Sequence, residues 1–204
     1  MVFTTRPVIM GTNGVVTSGH YLATGVGLDI LRKGGNAIDA GVSMGFALSV
    51  LEPQSYGIGG EAPILVYSAK DRKVHAIKGQ GYSPAKATIG WFRKNRVKVI
   101  PGDGFLPATV PGAFDAYTTA LLQFGTMNLN EVLEPAVRLA DEGFPVYDRL
   151  NRSIAACEER IRQEWPSTAE IYLPNGRIPE LGEVLRNRDW ARTFRRVLAG
   201  ESKH

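Results

Sequence analysis

The segment Ala37–Leu51 constrains the fold more than any other stretch of this chain. Ala37, Ile38, Ala40, Val42, Phe46, Ala47, Val50 and Leu51 spread apolar side chains over nearly every face of a helix. Such a helix has no stable place at a surface, so other elements must wrap it on several sides. Asn36 offers a capping oxygen with Asp39 three positions on, and Pro53 stops the run. Asp39 and Ser43 interrupt it, and it is shorter than the roughly 20 residues a bilayer needs, so it does not read as a membrane span.

The wrapping elements are legible on both sides. Leu22, Val26 and Ile30 recur every fourth residue within residues 20–33, and Gly34-Gly35 ends that amphipathic helix. Residues 14–17 before it read as a short strand. After Pro53 a glycine-dense loop reaches Gly60, and the alternating segments 63–68 and 74–78, joined by a polar turn, predict an antiparallel hairpin. Helical spacing then marks residues 112–124 and 129–141, with Pro135 expected to bend the second or sit in its first turn. A third helix carries Tyr147, Leu150, Ile154, Cys157 and Ile161 and ends near Pro166, and a last one covers 189–199 with Asn187 as its cap. Helices flanking an antiparallel hairpin define an α+β, layered architecture. One hairpin leaves sheet edges open, so residues 1–204 are expected to be a single incomplete domain.

Composition removes several classes of function. With 44% hydrophobic and 22% charged residues, the chain has the balance of a globular protein and is not generally disordered. A single cysteine, Cys157, excludes an internal disulfide, and with only His20, His75 and His204 beside it no thiolate or histidine-rich metal site is expected. The N-terminus lacks the basic start and continuous apolar core of a signal peptide, which makes a cytoplasmic location the default. Between Lys70 and Lys98 nine Lys or Arg residues stand against one acid, Asp71. No aromatic-interleaved platform accompanies them, so the run reads as a solvated face and not as a nucleic-acid site.

Individual constellations are weak. Gly57-Ile58-Gly59-Gly60 lacks the Lys-Ser/Thr pair of a P-loop, and here a helix precedes and a strand follows, the reverse of a dinucleotide-binding turn. A tight helix-to-strand connection is the better reading. Ser18 and His20 are too close in sequence to face each other as nucleophile and base, and no strand-turn-helix elbow surrounds Ser18, so they read as helix-capping groups. His75 falls on a strand, exposed or half-buried. Glu52 and Glu61 bracket the glycine loop as a possible carboxylate pair, and Cys157 reads as a small buried hydrophobe. No complete catalytic set is visible in the residues alone.

Taken together, these segments resemble the N-terminal part of the gamma-glutamyltranspeptidase family. The likeness is carried by residues 20–24 (HYLAT), 27–40 (GLDILRKGGNAIDA), 52–60 (EPQSYGIGG), 110–113 (VPGA), 124–126 (FGT) and 131–145 (EVLEPAVRLADEGFP), in order over almost the whole chain. It implies an N-terminal-nucleophile hydrolase with a layered αββα core, whose precursor cuts itself into a large and a small subunit. In that family the new N-terminal threonine of the small subunit attacks an amide carbonyl, its own α-amine serving as base. This chain then corresponds to the first part of the large subunit. By the resemblance it carries no catalytic residue, needs no metal or organic cofactor, and has the rest of its precursor as partner and a small-molecule amide as substrate. Where the family places an arginine that grips the glutamyl α-carboxylate, this sequence has Gln80, followed by Gly81, Tyr82, Ser83 and Pro84. The resemblance makes Gln80 a substrate-binding residue, and a neutral amide in place of a charged fork implies altered specificity. An oxamate-type amidohydrolase or an acylase is the alternative within the family; a truncated, non-catalytic binding module is the alternative outside it.

Overall fold

The computed structural model describes residues 8–102 and 104–201. Its axis is α2 (Ala37–Leu51), in which eleven of the fifteen residues are buried, as a helix apolar on every face requires. Asn36 and Asp39 form a reciprocal capping box at its start. Around it pack α1 (Tyr21–Arg32), α4 (Ala113–Phe124) and α5 (Leu129–Glu142), and α8 (Arg188–Glu201) packs on α5 and reaches α2 through Phe194. Phe46 of α2 is fully buried at the centre, with the rings of Tyr117 at 5.1 Å, Phe114 at 5.9 Å and Phe194 at 6.1 Å. Gly45 lets α4 come this close, since a Cβ there would stand 2.8 Å from Tyr117 Cζ.

A buried carboxylate ties the helices together. Asp39 is 0% exposed and accepts the backbone N–H of Thr126 at 2.9 Å, the Thr126 hydroxyl at 2.6 Å and the N–H of Met127 at 3.1 Å, besides the Asn36 N–H at 2.7 Å. Asn36 returns a bond from its side-chain amide to the Phe124 carbonyl at 2.7 Å. The start of α2 is thereby joined to the turn between α4 and α5. Burial by itself raises the Asp39 pKa, but the bonds from Thr126, Asn36 and Met127 together outweigh it and hold the carboxyl below its ordinary value.

The hairpin forms as the alternation predicts: β1 (Ile64–Ser68) pairs antiparallel with β2 (Lys73–Ile77), Val66 facing His75 and Tyr67 facing Val74. Its inner face, with Val66 buried and His75 against Phe124 at 4.9 Å, lies on α4. The outer face shows Leu65, Tyr67 and Val74, which are 77%, 64% and 65% exposed. The remaining elements are α3 (Ile89–Lys94), β3 (Phe144–Pro145), α6 (Asp148–Glu164), α7 (Pro166–Tyr172) and β4 (Val184–Leu185), β3 and β4 forming a second antiparallel pair. α5 continues through Pro135, which is buried past the first turn. Asn187 caps α8 by accepting the Trp190 N–H at 3.1 Å.

Two expectations need correction. Residues 14–17 form no strand: the segment has no ladder partner among the described residues, and Val15 is 62% exposed, so nothing satisfies its backbone in sheet fashion. Cys157 is half-buried and not fully enclosed; it lines an apolar cavity of about 230 Å³ with Leu150, Ile154, Ile161, Trp165 and Tyr172. Among the described residues no helix is long and apolar enough to cross a membrane.

Candidate functional site

Gln80 sits where three loops meet, and glycines make the meeting possible. Just beyond the end of β2, Gly79 has φ +53° and its carbonyl accepts the Ala62 N–H at 2.9 Å. Any side chain there would collide with the Ala62 carbonyl, the oxygen lying 2.0 Å from a Cβ. On the other side of Gln80, a Cβ on Gly81 would lie 1.6 Å from the Val110 carbonyl oxygen. Gly112 closes the third side, its Cβ position 2.9 Å from Gly79 O and 3.2 Å from the Gln80 carbonyl carbon. The Val110 N–H donates to the Tyr82 carbonyl at 2.9 Å, which completes a clasp made of main chain alone. The Gln80 backbone is therefore fixed, while its side chain stays exposed.

The glycine loop of residues 57–60 supports this clasp from behind. The N–H groups of Gly112 and Ala113 both donate to the Gly60 carbonyl at 3.0 Å, and the Phe114 N–H donates to Ile58 O at 3.3 Å. These are the orphan donors of α4, which has no side-chain cap. Protein carbonyls thus occupy the groups an anion would need, so the loop is a structural connection in the sense the sequence suggested. Lys78 stands two residues before Gln80, its ammonium 4.4 Å from the centre of the Tyr82 ring.

The other sequence candidates do not join this place. His20 caps α1, its Nδ1 accepting the Leu22 N–H at 3.2 Å. That bond places the neutral ring's proton on Nε2, which is buried without a partner among the described residues, and burial pushes the His20 pKa down. Ser18 Oγ donates to the His20 carbonyl at 2.9 Å and shares a hydrogen bond with Thr24 Oγ1 at 2.8 Å, so the pair is a cap and not a nucleophile with its base. His75, on β2 against Phe124, shares a hydrogen bond with Asp71 of the hairpin turn at 2.9 Å. Glu52 is 2% exposed and packs on Gly19, where a Cβ would meet its Oε1 at 2.9 Å, whereas Glu61 is exposed; the two carboxylates share no common environment. The basic residues between Lys70 and Lys98 are all exposed. Among the described residues no group of three or more His, Cys, Asp or Glu could hold a metal ion. Sequence reasoning missed the clasp partners Gly79, Gly81 and Gly112, although a Gly-Gln-Gly triplet is a readable sign of close backbone approach.

Helices layered on short antiparallel strand pairs make an α+β fold, and it is the fold of the N-terminal-nucleophile hydrolases to which the solved Helicobacter pylori gamma-glutamyltranspeptidase belongs: that structure superposes on it with a TM-score of 0.87 at 29% identity, over 95% of this chain and 56% of that one. The family model for gamma-glutamyltranspeptidase matches residues 23–202, and the chain belongs to that family. Among its relatives, the glutathione hydrolase proenzyme of Bacillus subtilis (strain 168) is 35% identical over 196 residues, covering 94% of this chain and 33% of the relative. The acylase ACY 1 proenzyme of Pseudomonas sp. (strain V22) is 34% identical over 201 residues, covering 93% of this chain and 35% of that protein. The chain thus spans about a third of the length of these curated relatives.

Proposed function

We propose that this chain is the N-terminal part of the large subunit of an enzyme that cleaves or transfers an acyl group from a small-molecule amide, and that Gln80 is the residue through which it meets the acyl group. The observation that carries this reading is the clasp: Gly79, Gly81 and Gly112 immobilise the backbone at position 80 and leave its side chain free to face a ligand. Pre-fixed backbone lowers the entropy cost of engaging that ligand. The nucleophile, an N-terminal threonine, belongs to a part of the precursor outside residues 1–204, in keeping with relatives that carry the word proenzyme in their names. The remaining precursor is the partner of this chain.

A glutamine presents a neutral amide. A substrate carboxylate brought against it in a partly dry pocket loses water without gaining a charged partner, so acyl groups that are neutral at this end are favoured over gamma-glutamyl groups. The similarity to an acylase supports that choice. The test uses the matured full-length enzyme with gamma-glutamyl p-nitroanilide and a series of neutral acyl p-nitroanilides. Gln80→Arg should raise kcat/KM for the gamma-glutamyl substrate about 5- to 150-fold, the worth of one charge-assisted hydrogen bond, and lower it for the neutral ones. Unchanged kinetics toward both would remove Gln80 from the acyl pocket.

A further inference from the structure

The turn that leaves α2 is gripped from the start of α6. Tyr147 Oη donates to the Leu51 carbonyl at 3.0 Å, and the same oxygen accepts the Gln54 side-chain amide at 3.0 Å. Arg149 adds a bond from its guanidinium to Ser55 Oγ at 3.2 Å. Burial pushes the Tyr147 phenol pKa up, and the nearby Glu52 carboxylate acts in the same direction against the bond from Gln54, so the hydroxyl keeps its proton and serves as donor and acceptor at once. The ring is held edge-on against His20 at 4.8 Å.

From this grip a short stretch of chain, held by three sets of main-chain hydrogen bonds, leads to the acyl site. The Glu52 carbonyl accepts the N–H groups of Ser55 and Tyr56 at 2.9 Å, the Gly57 carbonyl accepts Gly60 N–H at 3.2 Å, and Gly60 O caps α4 through Gly112, which leans on Gln80. Gln54, Ser55 and Tyr56 are exposed, so packing does little to fix the approach of the loop. A cap on α2 needs only a donor for Leu51 O. The acceptor function of the same hydroxyl is spent on Gln54, beyond the helix end, and that bond orients the loop.

We propose that Tyr147 is a positioning residue of the acyl site, acting through Gln54 to set the course of the glycine loop and thereby the placement of the clasp around Gln80. This rests on the reading of Gln80 given above. Two variants of the matured full-length enzyme separate positioning from capping. Gln54→Leu removes the tie to the loop and leaves the Leu51 cap; Tyr147→Phe removes both. Gln54→Leu should raise KM for the best p-nitroanilide substrate about three- to tenfold with kcat and Tm unchanged, and should speed hydrogen exchange in a peptide covering residues 53–60. Tyr147→Phe should show the same KM effect together with a lower Tm, and the double variant should add nothing further to KM. If Gln54→Leu changes neither KM nor exchange while Tyr147→Phe lowers Tm alone, Tyr147 only caps α2 and the proposal is overturned. Failure of the two readings is distinguishable: a silent Gln80→Arg beside an altered Gln54→Leu faults the assignment of Gln80, and the converse faults the positioning role.

Discussion

Replacing Asp39 by Asn tests how much of the fold hangs on one buried carboxylate. The substitution preserves size and shape, so the change is confined to hydrogen bonding. Oδ1 receives the N–H groups of Thr126 and Met127, and Oδ2 receives the Asn36 N–H and the Thr126 hydroxyl. An amide can accept at only one of these sites; with its NH₂ group at the Oδ2 site the Thr126 hydroxyl can turn to accept, but the Asn36 N–H is left in a donor–donor contact. One bond to a charged acceptor, worth about 1.5–3 kcal/mol, is lost and the remaining bonds lose their charge assistance, so the expected destabilisation is about 3 kcal/mol. For a chain of this size that corresponds to roughly 6–12 °C in Tm. The pH dependence has a definite sign. The folded-state pKa of Asp39 lies below its ordinary value, so its contribution is fully present above the unfolded-state pKa and is lost as pH falls through the folded one. Thermal melts of the full-length protein and of Asp39→Asn should therefore differ most at neutral pH and converge below about pH 4. Melting temperatures within a degree of each other at pH 7, or a gap that does not shrink on acidification, would refute the reasoning.

Gly45→Ala places a methyl group 2.8 Å from Tyr117 Cζ, and should lower stability by about 1–3 kcal/mol in chemical denaturation as the ring is forced from its place beside Phe46. In the full-length enzyme Gly81→Ala sets a Cβ 1.6 Å from the Val110 carbonyl, where only backbone can yield, so turnover of p-nitroanilide substrates should fall at least tenfold; wild-type kinetics would dissolve the clasp as a functional device. Residues 1–204 expressed alone should show no amidase activity with gamma-glutamyl p-nitroanilide or simple amides. These residues on their own, with Leu65, Tyr67 and Val74 uncovered on the hairpin, should bind ANS and melt without a sharp transition, and a cooperative monomeric melt would count against this.

Much of the scaffold was written in local pattern. α2 was legible because its apolar residues leave no polar face, and the box between Asn36 and Asp39 gave its start; Asn187 marked α8 in the same way. β3 and β4, two residues each, are too short to show a period, and they are held by a pairing of Phe144 with Leu185 across forty residues of sequence that no local window contains. Residues 14–17 failed for the opposite reason: their composition suits a strand, but strand formation needs a partner that composition does not supply. At the candidate site, Gln80 was singled out through family resemblance alone. Its flanking glycines hinted at a close approach without naming Val110 or Gly112 as what approaches. The tie between Tyr147 and Gln54 spans 93 positions and depends on a side-chain hydroxyl reaching a loop, for which no sequence signal exists.

The clasp also bears on how such an enzyme changes its diet. The closest approaches at position 80 are between glycines and main-chain carbonyls, and none of those contacts consults the identity of the side chain it presents. On the proposed role of Gln80, a substitution there alters what the enzyme accepts while the scaffold registers nothing, so new chemistry at this point carries little stability penalty. The flanking glycines have no such freedom. A screen that randomises residue 80 alone in the full-length enzyme should therefore recover folded proteins with divergent acyl preferences, whereas changes at Gly79 or Gly81 should cost folding.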